Sequence, residues 1–185
     1  MAKIVQTDVG SYYFGYPVNA AVLTSSSRGK TNAMTLAWHT TLSSVPFQYG
    51  VAISLTNFTN KLISESNEFV INFMPATHAD LVSKIGGCSG NDVDKFGAFG
   101  IETTPGSTVD APVLSAAYAS YECKVVDRQT YGDHELFVGR VEAVQWEESM
   151  YSDDRILDLE KVSPTLTLGG DLYAKASDTV HHPRR

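Results

Sequence analysis

Apolar residues recur with a period of two over much of this chain, and strands are the elements that period predicts. Val18 to Thr24 is apolar and β-prone, and it stops at Ser25-Ser-Ser-Arg-Gly-Lys, whose small residues and glycine suit a turn. Met34, Leu36 and Trp38 alternate with their neighbours across Met34 to Thr40, so these two segments are expected to form a hairpin. Tyr49 to Leu55 is a continuous apolar run, the pattern of a central strand, and Glu68 to Phe73 is another strand, ended by Pro75. Further on, Ala117, Ala119, Tyr121, Cys123 and Val125 alternate with Ser120, Glu122 and Lys124, which predicts an antiparallel strand buried on one face. Gly132-Asp-His then reverses the chain into Leu136 to Val144, giving a hairpin with long arms. Leu166 to Ala174 reads as a final strand and turn.

Helical spacing is confined to short stretches between these strands. Asn57-Phe-Thr-Asn opens one, with Leu62 and Ile63 facing inward and Asn57 or Thr59 as its cap. Thr77-His-Ala-Asp has the capping-box pattern ahead of Leu81, Val82 and Ile85, and Gly86-Gly87 stops that helix. Asn91 to Phe96 looks like one more short, capped turn of helix, and Glu147 to Glu160 is a polar loop or short helix. No repeat, low-complexity tract or linker divides the chain. Residues 1–185 are therefore expected to be one domain with its core at about 14–175, mainly β, a barrel with inserted helices rather than a βαβ sheet.

Composition narrows the partners. The 185 residues are 43% hydrophobic with a formal charge of -7, which fits an ordinary folded protein and disfavours nucleic acid as a partner, since that needs a basic face. An acidic protein can still hold a phosphate monoester, because local amides and one or two cations decide that. Two cysteines, Cys88 in Gly86-Gly-Cys-Ser-Gly and Cys123 in mid-strand, are expected as free thiols in a reducing compartment. The N-terminus lacks the apolar core of a signal peptide and no stretch has the length of a membrane span, so the expectation is a cytoplasmic protein with no membrane partner. There is no Gly-x-Gly-x-x-Gly, Walker loop, His-Glu-x-x-His or nucleophile elbow. Neither a catalytic side chain nor a metal site is therefore expected; His181-His182, adjacent in a polar tail, is a poor preformed site.

What remains is a cluster of small polar residues. Ser54, Thr56, Thr59 and Asn60 bring hydroxyls and an amide to a helix start, a chemistry suited to an anion; ordinary capping by Asn57 or Thr59 accounts for part of it. Taken together, Asn32-Ala-Met-Thr-Leu-Ala-Trp-His-Thr-Thr, Tyr49-Gly-Val-Ala-Ile-Ser-Leu, Asn57-Phe-Thr-Asn-Lys-Leu-Ile-Ser-Glu-Ser and the later Gly132-Asp-His-Glu-Leu-Phe-Val-Gly-Arg-Val resemble the flavin reductase-like and flavoredoxin family of FMN-binding split barrels. The resemblance runs over about residues 14 to 175. It implies a closed antiparallel split β-barrel with short inserted helices and a homodimer with FMN near the subunit interface. The activity implied is that of a flavoprotein oxidoreductase passing reducing equivalents from NAD(P)H to free flavin, ferric complexes or another small acceptor. Flavin chemistry demands no side-chain nucleophile, which agrees with the missing motifs.

By the same resemblance Thr35, Ala37 and Trp38 stand beside the isoalloxazine, and Ser54, Thr56, Thr59 and Asn60 cradle the ribityl chain and phosphate. Lys95 and Phe96 of Asp94-Lys-Phe approach the flavin, where a lysine near the N1 and O2 edge stabilises its reduced anion. Met34 is read as a core residue and Asn72 as a structural hydrogen-bonder; His134 either lines the nicotinamide side or braces its hairpin. The chain departs from the family in one respect. Asn57 and Phe58 stand where many members carry a basic residue before the threonine, leaving Lys61, Lys95 or Arg28 to neutralise the phosphate. Two other readings follow from the resemblance: a flavoredoxin-type electron carrier reduced by a protein partner, and a non-enzymatic split barrel holding haem or a regulatory ligand.

Overall fold

The computed structural model describes residues 3–8, 10 and 13–180, so the His181-His182 pair lies outside the described residues. A 3-10 turn at Tyr13–Gly15 leads into β1 (Val18–Asn19), β2 (Ala21–Ser27), β3 (Lys30–Leu36), β4 (His39–Ser44) and β5 (Phe47–Ser54). Next come α1 (Phe58–Ser66), β6 (Glu68–Phe73), α2 (Ala79–Gly86), α3 (Lys95–Phe99) and the short strands β7 (Thr103–Thr104) and β8 (Val113–Leu114). The long arms β9 (Ala119–Tyr131) and β10 (His134–Trp146) precede a last hairpin of β11 (Thr165–Gly169) and β12 (Leu172–Lys175). No helix among the described residues is long and apolar enough to cross a membrane.

Seven strands form one antiparallel sheet in the order β3-β2-β6-β9-β10-β5-β4. Its two edges, β3 and β4, are consecutive in the chain and joined only by Ala37 and Trp38. Laid flat, the six strand spacings would separate those edges by about 29 Å. Three residue steps from Leu36 to His39 reach only about 10 Å. The sheet must therefore curl until its edges nearly meet. It does not close by hydrogen bonds, which differs from the closed barrel expected above: the ladder ends at β3 and β4, and the chain itself spans the split.

Two differences from the expected strands have the same origin. The run expected as one strand from Val18 to Thr24 is cut at Ala20, because β1 pairs with β11 in a separate three-stranded sheet while β2 joins the main one. The strand expected from Met34 to Thr40 is cut at Ala37–Trp38, because its halves lie on opposite edges. The hairpin between β2 and β3 does form. Its two-residue turn, Arg28-Gly29, has both φ angles positive (50° and 76°), as the twist of a tight hairpin requires.

The inner face of the curled sheet holds one apolar cluster, with Leu23, Leu36, Val51, Ile53, Phe69, Ile71 and Phe137 fully or nearly buried. Helix α1 adds Ile63 to it. The outer face of β2 and β3 carries a second cluster in which Val22 and Ala33 meet Val82 and Ile85 of α2, together with Met74 and Leu114. Burial on both faces explains why β2 reads as a continuous apolar run. The capping box expected at Thr77 is absent: the chain enters α2 through a 3-10 turn, and His78, at the cap position, makes no side-chain capping bond.

Strand β9 departs from its expected single buried face. Ser120 and Glu122 are buried along with Cys123, because the segment from Gly106 to Leu114 covers the outer face there. Glu122 accepts hydrogen bonds from the Thr108 amide (2.6 Å), the Thr108 hydroxyl (2.8 Å) and the Gln145 amide (2.7 Å). Burial pushes its pKa up, but these hydrogen bonds outweigh burial and hold it below the usual range. Asn72 is, as read, a structural hydrogen-bonder: its amide donates to the Val22 carbonyl and the Thr24 hydroxyl and accepts from the Leu114 amide and the Ser120 hydroxyl.

Candidate functional site

The split between the sheet edges opens on a cleft of two joined cavities. The larger, about 550 Å³, lies against the end of β3 and the connecting Ala37-Trp38. Ala52 and Ser54 of β5, Asp133 and His134 of the long hairpin and the Gly169-Gly170-Asp171 turn complete its walls, and Tyr13 and Tyr16 come in from the N-terminal turn. The smaller, about 380 Å³, lies at the start of α1 and is bounded by Asn32, Thr56, Thr59, Lys95 and the Gly86–Gly90 loop. Met34, Thr35, Asn57, Gly86 and Gly87 line both, which makes the two cavities continuous.

One end of this cleft is aromatic. The Trp38 ring packs against His134 with centroids 4.6 Å apart, and its Nε1 donates to the Tyr16 hydroxyl at 3.0 Å. His134 is held through Nδ1 by Asp133 at 2.7 Å. Because β3 is an edge strand, half of its N–H and C=O groups point away from β2 and towards the split. The side chain of Thr35 is committed elsewhere, its hydroxyl donating to the Val82 carbonyl of α2 at 2.5 Å.

The other end gathers hydrogen-bond donors. The Ser54 and Thr56 hydroxyls lie 3.1 Å apart just before α1, whose N-terminal amides and positive dipole end open on the same cavity. Asn57 occupies the cap position but makes no capping bond; its Nδ2 lies 3.3 Å from the Met34 sulfur. Thr59 is buried and accepts from Asn32 Nδ2 at 2.9 Å. Gly90 fits against that pair so closely that a Cβ would come within 2.1 Å of Asn32 Oδ1.

Lys95 is the one cation among the described residues lining either cavity. It is only 4% exposed, and its Nζ donates to the carbonyls of Ala33 (2.9 Å) and Ile85 (2.7 Å). Burial lowers its pKa, with nearby Cys88 acting in the opposite direction. Of the other two candidate cations, Arg28 is exposed and sits 3.7 Å from Glu65, and Lys61 is exposed on α1.

Seven of the nine residues singled out from the sequence border the cleft. Thr35, Ala37, Trp38 and Ser54 line the larger cavity, and Thr56, Thr59 and Lys95 the smaller. Two do not. Asn60 turns its amide to Glu135 at 3.3 Å, and Phe96 packs against the cluster beneath α2. Sequence reasoning missed Asn32, the Gly86–Gly90 loop, Tyr13, Tyr16 and the Gly169–Asp171 turn. The glycines at 86, 87, 90, 169 and 170 were the available signal, since a ligand approached by backbone calls for residues without side chains.

The family model for the flavin reductase like domain matches residues 13–165. This chain belongs to the flavin reductase-like family. As such a protein it is similar to an FMN-binding protein from Thermus thermophilus, solved with 1-cyclohex-2-enone, at 32% identity and a TM-score of 0.88 over 99% of both chains. It is similar to a flavoredoxin from Methanosarcina acetivorans at 27% identity and a TM-score of 0.86, over 98% of this chain and 95% of that one. It is also 28% identical over 152 residues to a ferric-chelate reductase (NAD(P)H) of Archaeoglobus fulgidus, covering 80% of this chain and 89% of the relative. In a flavin reductase-like protein, a cleft with an aromatic end and an anion-binding end has the shape and donors that a phosphorylated flavin needs.

Proposed function

We propose that this chain is an FMN-dependent oxidoreductase that takes reducing equivalents from NAD(P)H and passes them to free flavin, a ferric complex or another small acceptor. What carries the reading is the two-ended cleft on a chain of the flavin reductase-like family. FMN, when bound, supplies the redox chemistry, accepting a hydride from a nicotinamide and releasing electrons to the acceptor.

The protein's part is binding and positioning. The edge backbone of β3 at Thr35 and Ala37 offers N–H and C=O groups to the polar rim of the ring, and Trp38 with His134 walls its flat face. Ser54, Thr56 and the α1 amides take the ribityl hydroxyls and phosphate. Lys95 supplies a buried positive charge behind them, without an exposed basic residue in the loop. Its carbonyl partners hold the ammonium in place, so ordering it costs little when the anion arrives. Neither Asn60 nor Phe96 has a part in this reading.

A single-domain, cytoplasmic homodimer with the flavin lying across the split belongs to the same proposal. The likeness to a flavoredoxin supports a second reading, an electron carrier reduced by a protein partner. One experiment separates the two: the absorbance spectrum of protein loaded with FMN and dialysed, then mixed without oxygen with NADH or NADPH. Bleaching of the bound flavin by either nucleotide is the expected result. Bleaching only by a chemical reductant assigns the carrier role, and failure to bind FMN overturns both.

A further inference from the structure

One titratable pair in the cleft does no chemistry in flavin binding itself. His134 opens β10, where its backbone pairs with Ser54 of β5 and with Tyr131 of β9. The tight turn before it is tied down as well, since the Leu55 amide donates to the Asp133 carbonyl at 3.1 Å. On this fixed frame His134 Nδ1 lies 2.7 Å from the Asp133 carboxylate. That hydrogen bond, followed by the charge on His134, holds the Asp133 carboxyl below its usual range.

With Nδ1 turned to Asp133, Nε2 is the nitrogen left for a ligand, and it has no partner among the described residues. His134 is half-buried in the wall of the larger cavity, its ring centroid 4.6 Å from that of Trp38 and its plane tilted by 40°. An imidazole held by a carboxylate on one nitrogen and open on the other is the arrangement of a general acid. The remaining walls narrow what it acts on. Trp38, Tyr13 and Tyr16 make them aromatic, which suits a flat ring. Their charged members among the described residues are Asp133, Asp171 and, when protonated, His134, with no lysine or arginine. An anionic acceptor such as a negatively charged ferric chelate is therefore repelled, and a neutral one is not.

We infer that His134 is the general acid for a neutral quinone, which lies flat between the flavin ring and the wall of Trp38 and His134. The inference rests on the flavin reading of the cleft and names its acceptor. A quinone becomes a hydroquinone by taking up one hydride and one proton. The hydride adds from the reduced flavin, which is left oxidised, and the proton passes from His134 Nε2 to a quinone oxygen. The neutral imidazole regains its proton from water once the hydroquinone has left. A ferric complex takes one electron and no proton, so with that acceptor the pair would stand idle. Asp133 is a positioning residue: it fixes the imidazole ring and stabilises its charged form.

The full chain loaded with FMN is compared with its His134→Gln and Asp133→Asn variants, using duroquinone, whose substituted ring cannot add to a thiol. Unreduced protein is first titrated with the quinone and followed by NMR at the histidine ring protons. The expected result is a saturable shift of the His134 resonances, which are assigned by their loss in His134→Gln. The bound flavin is then reduced without oxygen, by NADH or dithionite, and reoxidised in a stopped-flow instrument. The oxidant is either duroquinone or ferricyanide, which takes one electron and no proton, in salt high enough to screen its charge. Relative to the ferricyanide rate, the quinone rate should fall about a hundredfold in His134→Gln and about tenfold in Asp133→Asn. In the wild type only the quinone step should slow in deuterium oxide. Equal loss of both rates, or a quinone rate that neither variant changes, overturns the general acid. Absence of a His134 shift overturns the quinone site. Failure to load FMN overturns the proposed function and this inference together, whereas flavin that NADH reduces without any of these effects overturns the inference alone.

Discussion

Asn72→Leu should be costly, and the cost can be worked from the structure. The side chain is fully buried on β6 and makes four hydrogen bonds, two donated to Val22 O (3.1 Å) and Thr24 Oγ1 (3.3 Å), two accepted from Leu114 N (2.9 Å) and Ser120 Oγ (3.0 Å). Leucine keeps the branching of the side chain but is larger, so no cavity opens and any overpacking adds to the cost. Thr24 loses little, since its own hydroxyl still donates to Pro112 O. The Leu114 amide cannot rotate away, and the Ser120 hydroxyl is buried with it, so two donors are orphaned at about 1–3 kcal/mol each. A loss of about 2–6 kcal/mol follows, a large part of a typical stability of about 5–15 kcal/mol. Urea denaturation followed by tryptophan fluorescence measures it. Adding Ser120→Ala to Asn72→Leu removes one of the orphans, so the double variant should cost less than the sum of the two singles by about 1 kcal/mol or more. An Asn72→Leu cost below about 1 kcal/mol, or strict additivity in the cycle, would refute the reasoning.

Three other outcomes are expected. Gly90→Ala must displace Asn32, because the new Cβ would lie 2.1 Å from its Oδ1, and it should weaken FMN binding in a fluorescence titration by about tenfold while costing about 1–3 kcal/mol of stability. Lys95→Met should lower FMN affinity by about tenfold, read in the same titration, and less so at high salt if the effect is electrostatic; because its Nζ serves two carbonyls, circular dichroism must first show the variant folded. His39 is half-buried, with its pKa lowered by desolvation, while its backbone bond to Asn19 acts the other way. The unfolded chain therefore binds the proton more readily than the native one, so this contribution is complete above the ordinary histidine value of 6.5 and is lost as pH falls below it. Stability measured between pH 7 and 5 should fall more steeply in the wild type than in His39→Gln.

The elements that were legible from sequence are those whose signals are local. The hairpin turns at Arg28-Gly29 and Gly132-Asp133 announce themselves by residue type, and Leu62 and Ile63 mark the buried side of α1. What was not legible depends on segments far apart in the chain. Nothing between Met34 and Thr40 punctuates the strand, and the break at Ala37-Trp38 exists only because the sheet curls until its edges face one another. Glu122 sits at an alternating position that reads as solvent-facing, yet the Thr108 segment lies over it. Lys95 was singled out by the family resemblance alone, and only the distant carbonyls of Ala33 and Ile85 make its burial possible. Asn60, grouped by sequence with the hydroxyls at the start of α1, lies one helical step too far round and meets Glu135 instead.

The same topology explains why the cleft lies where it does. An antiparallel sheet satisfies its backbone groups everywhere except at its edges, and a fold that leaves two edges must cover or use them. Here both edges come to one place, joined by Ala37 and Trp38, and the end of β3 lines the cleft there. The Trp38 carbonyl finds a partner in the Ala52 amide, and the Trp38 indole in Tyr16, which fixes the connecting residues and leaves the adjacent β3 edge open. Helix α1, following β5 after a short turn, brings its N-terminus to the other end of that split. In the proposed function, an edge that would otherwise invite pairing with another strand offers its free donors and acceptors to a flat heterocycle instead. On this argument the position of the cleft follows from strand order.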